Sequence, residues 1–119
     1  MGSNDFRKGL TAFLRKYSFK TAVTEDLLHE LTLASAQNLN MSAIMGTWTR
    51  QKGYPVIIVE KKGIEYVLRQ ERFLTSSNTS DIASPYDYKW EVPISYTTSE
   101  NAQAVQRSWL HIHDEQLVL

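Results

Sequence analysis

His29 and Glu30 stand side by side in the run LLHEL, which is the first half of the zincin pattern HExxH. That pattern works because a second histidine one turn later brings two imidazoles onto one metal from the same helix face. Here the position is Leu33, so the pair alone builds no metal site and reads as a solvent-facing polar pair beside a Leu27 and Leu31 stripe. His111 and His113 are the better metal candidates, because residues two apart in a strand point to the same face. Asp114 follows in an expected turn, and no third ligand is evident nearby. Serine, histidine and aspartate all occur, yet no glycine-framed nucleophile elbow surrounds any serine. The glycines are scattered as turn and cap residues, which leaves no phosphate-cradling loop. Trp48, Trp90 and Trp109 fall at periodic positions, where tryptophan is more often core than a stacking platform. No residue is assigned a catalytic or metal-binding role.

The elements that would position these residues change period partway along. Phe6, Leu10, Phe13, Leu14 and Tyr17 fall on one face of a first helix, with Arg7, Lys8, Arg15 and Lys16 on the other. Thr24 is placed to cap a second helix, with Glu25 and Asp26 in its first turn and Leu27, Leu28, Leu31 and Ala34 as its buried stripe. Asn40 is placed to cap a third, whose inner face is Met41, Ile44, Met45 and Trp48. Gly53 then suits a left-handed helix terminus, and Pro55 forbids continuation. Beyond this stop, VIIVE reads as a strand covered on both faces, and Lys61, Lys62 and Gly63 as a hairpin turn. In the returning strand, Ile64, Tyr66 and Leu68 share a face. The polar stretch from Thr75 to Asp87 reads as loop. YKWEVPISY is a strand that Pro93 confines to an edge or bulge, and SWLHIH with QLVL reads as a last hairpin. Three helices followed by about five antiparallel strands make an α+β order.

Bulk properties narrow the function classes. A chain of 119 residues with 42% hydrophobic content is one domain's worth and should fold. Thirteen basic and thirteen acidic residues cancel, which argues against nucleic acid as a partner. The absence of cysteine removes disulfides and thiolate sites. No apolar run approaches the ~20 residues of a membrane helix. Met1 to Ser3 read as a cloning remnant. Asn40-Met41-Ser42 and Asn78-Thr79-Ser80 fit the glycosylation sequon, Asn78 more credibly because it lies in the polar loop.

RKGLTAFLRKYSFKTAVTEDLLHEL, IMGTWTRQKGYPVIIVE, RQERFL and YKWEVPISYTTS together resemble the zinc-dependent aminopeptidase N family, the gluzincin exopeptidases. The resemblance runs from about Phe6 to Trp109, and its most specific element is TWTRQKGYPV, similar to the family pattern W-T-x-Q-x-G-[FY]-P. It departs from the family at Leu28, where tryptophan is frequent, and at Lys52, where an apolar residue is usual. The resemblance implies that Asn4 to Gly53 are the last helices of a thermolysin-like catalytic domain and Tyr54 to Leu119 a β-sandwich domain behind it. Trp48, Gly53 and Pro55 mark the structural junction.

The family's HExxH helix, its glutamate ligand, its GAMEN-type motif and its catalytic tyrosine correspond to no residue here. The resemblance therefore implies a non-catalytic piece without its own cofactor, whose parent uses zinc to cleave N-terminal residues from peptides. It also implies further strands beyond Leu119, an open sheet edge, and self-association through that edge. The partners expected are the rest of the parent chain and, for the parent alone, a peptide substrate. YDYKWEVPISYTTS is closer to the secreted and membrane-anchored branch, so the expected location of the parent is the cell surface or the exterior. The alternative is a free-standing binding module with Tyr54, Tyr86, Tyr88 and Trp90 as an adhesive patch. Burial of those rings would remove it.

Overall fold

The computed structural model describes residues 1–75 and 82–119. The element order is α1 (Ser3–Lys16), α2 (Thr24–Ala34), α3 (Met41–Thr49), β1 (Pro55–Lys62), β2 (Glu65–Arg72), β3 (Val92–Tyr96), β4 (Gln106–Leu110) and β5 (Leu117–Val118). All pairing is antiparallel, in a three-stranded sheet ordered β1-β2-β5 and a two-stranded sheet of β3 and β4. This is the expected α+β order. By contacts the chain divides into two units, Met1–Gly46 and Thr47–Leu119.

In the first unit α1 and α2 approach most closely at Gly9, the buried residue of α1. A methyl group there would lie 2.9 Å from Leu31 Cδ2 and 3.0 Å from Leu31 Cα, so only glycine lets the backbones come this near. This centres the buried face on Gly9 and leaves Phe6 and Leu14 exposed, unlike the face read from apolar spacing. Leu28 and Leu31 of α2 are buried as expected. The helix begins at Thr24, the expected cap residue, so the cap lies one residue earlier: Val23 holds the cap position, and its N–H donates to Asp26 Oδ2 at 2.9 Å. A carboxylate reaching back replaces the Thr24 hydroxyl. Asn40 caps α3 as expected, its Oδ1 accepting from Ala43 N–H at 3.0 Å.

In the second unit β1 and β2 form a hairpin in which Lys62 faces Glu65. Gly63 takes φ +65°, as the turn requires, and Ile64 is a fully exposed turn residue rather than part of a strand face. The strand VIIVE is not covered on both faces. It lies at the edge of its sheet, paired with β2 on one side, and nothing among the described residues covers Val59, which is 56% exposed. The expected last hairpin does not form either. β4 pairs with β3 and β5 with β2, since Asp114 closes a turn on His111 that carries the chain from one sheet to the other. The core lies between the sheets: Trp90, Val92 and Leu110 are buried, with Ile57, Tyr88, Ile94 and Leu117 packed against them. Deleting a ring buried as Trp90 is typically costs about 3–5 kcal/mol.

Candidate functional site at the helix-to-strand junction

Lys89, Trp90 and Glu91 run just ahead of β3 and outside any strand ladder, although Trp90 is fully buried. Backbone amides and carbonyls in such a place must find partners, and here side chains supply them. Trp90 N–H donates to Gln70 Oε1 at 2.8 Å, and Gln70 Nε2 donates to Trp90 O at 2.9 Å, so one amide side chain does the work of a neighbouring strand. Glu91 N–H donates to Thr47 Oγ1 at 3.2 Å, while Trp48 Nε1–H donates to Glu91 O at 3.0 Å. Gln51 Nε2 donates to both Lys89 O and Thr47 O at 2.7 Å, and Ser84 Oγ–H donates to Gln51 Oε1 at 2.6 Å. The last turn of α3 and the middle of β2 are thereby stitched to one segment. Arg72 lies over the Tyr88 ring at 3.5 Å from its centroid and covers the same region.

The junction residues read from the sequence are present but arranged differently. Trp48, expected to be buried, is 38% exposed: Gly46 and Thr47 hold the inward positions of α3, and the indole packs on Trp90 with ring centroids 6.4 Å apart. Gly53 takes the expected positive φ, +92°, but in the connection after the helix rather than at its terminus. The Gln51 side chain has already taken a carbonyl of the last turn. Pro55 opens β1, opposite Arg72. Thr47 and Gln51 stand in the motif TWTRQKGYPV, but their roles, and Gln70 altogether, escaped the sequence reading. The available signal was Gln70, a polar residue two positions after Leu68 on the same strand face.

The histidines do not converge. β4 ends at Leu110, so His111 and His113 sit in a turn and strand alternation does not align them. His111 Nδ1 lies 2.6 Å from Glu91 Oε2, and its N–H donates to Asp114 Oδ2 at 2.8 Å. His29 is exposed, whereas Glu30, expected to face solvent, is buried where the Lys16 ammonium donates to its carboxylate. Among the described residues no group of three histidine, aspartate or glutamate side chains could hold a metal ion. The donors present do not fit a zinc site, since His111, Glu91 and Asp114 are engaged with one another and with backbone. Of the adhesive-patch rings Trp90 is fully buried, while Tyr54 is half exposed and stacked on Phe73 at 5.0 Å. A surface patch that includes Trp90 does not form. Asn78 lies outside the described residues.

No family model matches the chain. Curated proteins do. Glutamyl aminopeptidase of Sus scrofa is 38% identical over 99 residues, covering 82% of this chain and 10% of that protein. Endoplasmic reticulum aminopeptidase 2 of Bos taurus is 30% identical over 94% of the chain and 15% of its own length. Aminopeptidase M1-C of Oryza sativa subsp. japonica is 35% identical over 96% of the chain and 12% of its own length. An α+β segment with these relatives is aminopeptidase sequence, and the chain belongs to the M1 aminopeptidase family. It spans between 10% and 15% of the length of these relatives.

Proposed function

We propose that the chain is a non-catalytic segment of a zinc aminopeptidase that removes N-terminal residues from peptides, and that it buttresses and spaces the catalytic domain. The observation that carries this reading is similarity to aminopeptidases over most of the chain but a small share of their length. The exposure of Phe6, Leu14, Leu33, Val59 and Tyr66 supports it, because a segment that packs against the rest of a larger protein keeps apolar side chains for that contact. In this reading Asn4 to Gly53 close the catalytic domain and Tyr54 to Leu119 form the sandwich behind it. Zinc and the peptide belong to the parent, whose place is the cell surface or the exterior, with Asn78 as a glycosylation site. No helix of the described residues is long and apolar enough to cross a membrane. A free-standing binding module has less support, because its central ring, Trp90, is buried.

The buttressing role is tested in the full-length gene product with Gln70→Ala. The substitution leaves the Trp90 amide and carbonyl buried without partners, at about 1–3 kcal/mol for each group. Activity should then be lost at a lower temperature, with KM at the permissive temperature unchanged. Unchanged heat stability together with a raised KM would place Gln70 in substrate binding and overturn the reading.

A further inference from the structure

The outward face of α1 carries cations that no carboxylate among the described residues neutralises. At about 100° per residue, Arg7, Thr11, Arg15 and Lys8 fall on one side of the helix, opposite Gly9 and Phe13, and Arg7 and Arg15 stand about 12 Å apart along the axis. They border a shallow depression floored by Thr11 and Ala12, side chains too short to bar a close approach. Several other basic groups are engaged. Lys16 pairs with Glu30, Arg69 with Glu60 and Glu71, Lys61 lies over Tyr66 and Arg72 over Tyr88. Arg7, Lys8 and Arg15 make no ion pair among the described residues, and the nearby carboxylates are turned elsewhere. Asp5 accepts from Ala36 N–H, Asp26 from Tyr17 and Val23, and Glu30 from Lys16.

The geometry points to this face of α1 as a docking surface for an acidic protein segment, a helix carrying carboxylates one turn apart that meet Arg7, Lys8 and Arg15 in register. Charge complementarity selects the partner, and the short floor admits a helix at close range. An anionic membrane is the poorer match, because Gly9 on the apolar side of α1 packs against Leu31 of α2 and only Phe6 and Leu14 are left exposed to enter lipid. The inference stands independently of the aminopeptidase reading.

The test uses the isotope-labelled chain and a helical peptide of alanine and glutamate with carboxylates a turn apart, at about 50 mM salt so that screening is modest. Amide shifts should map to residues 7–15, and the peptide's glutamine counterpart should produce none. The triple variant Arg7→Gln, Lys8→Gln, Arg15→Gln should weaken binding about tenfold or more, with helix content retained. An equal charge change elsewhere, Lys52→Gln, Lys62→Gln, Arg107→Gln, should alter it less than about twofold. Equal losses in the two variants, or no shifts in the wild-type chain, would overturn the proposal. So would phosphatidylserine vesicles that bind through α1 and are not displaced by the peptide.

Discussion

Gly9 has no feature in the sequence that distinguishes it from a weak spot in a helix, where glycine costs roughly 1 kcal/mol relative to alanine. Its value lies in what it touches. Gly9→Ala gains helix propensity, but the new methyl meets Leu31 at 2.9 Å and 3.0 Å, the second contact being with backbone that cannot rotate away. Overpacking of this kind costs about 1–3 kcal/mol, so a net loss of stability is expected in urea unfolding, and an increase in midpoint would show that α1 can shift outward freely. Gln70 and Thr47 teach the same lesson at the junction. Apolar pattern reading assigns buried positions to apolar residues, whereas these polar side chains are buried because an unpaired segment of backbone needs them. The turn at Gly53 and the strand start at Pro55 were legible because glycine and proline carry their constraints in their own geometry, whereas the burial expected of Trp48 is not found. Nor was the partner of Trp48 legible, because Glu91 lies 43 positions away.

The helix pair is held by polar contacts as well as by Leu28 and Leu31, and these contacts titrate. Lys16 is held above its ordinary value of 10.5, chiefly by its hydrogen bond to Glu30, and Tyr17 above its ordinary 10.0, chiefly by its hydrogen bond to Asp26. A group whose pKa rises on folding contributes stability that is fully present below its unfolded pKa and lost as pH climbs through the folded one. The helical unit should therefore weaken above about pH 10, and modestly, because the Lys16 side chain is half exposed. Urea midpoints measured upward from about pH 8 should fall more steeply for the wild type than for a Lys16→Met, Tyr17→Phe variant. Parallel curves would mean that neither contact matters to folding. The existence and order of the elements were legible from the change of period at Gly53. Their faces were not, since VIIVE reads as a covered strand until the sheet order places it at an edge.

For the whole molecule, the separation of β4 and β5 into different sheets is the feature least accessible to local reading. Asp114 closes a turn on His111 at the point where the chain passes from one sheet to the other, where local pattern alone reads a hairpin. The resulting three-stranded sheet has β1 and β5 at its edges, with Val56, Val59 and Val118 exposed, and Lys61 and Lys62 guard only the hairpin end of β1. Self-association through these edges is expected, so light scattering over a dilution series should show mass rising with concentration, and Val59→Lys should suppress the rise. A concentration-independent monomer would remove the edge as a contact. The central proposal is that this chain is a non-catalytic segment of an aminopeptidase. It is tested most directly by comparing hydrolysis of an aminoacyl anilide by the chain and by the full-length gene product at equal molarity with equimolar zinc. Turnover should belong to the full-length product alone. Turnover by the chain itself, lost on His111→Ala, would contradict the account and make the His111, Glu91 and Asp114 turn an active site.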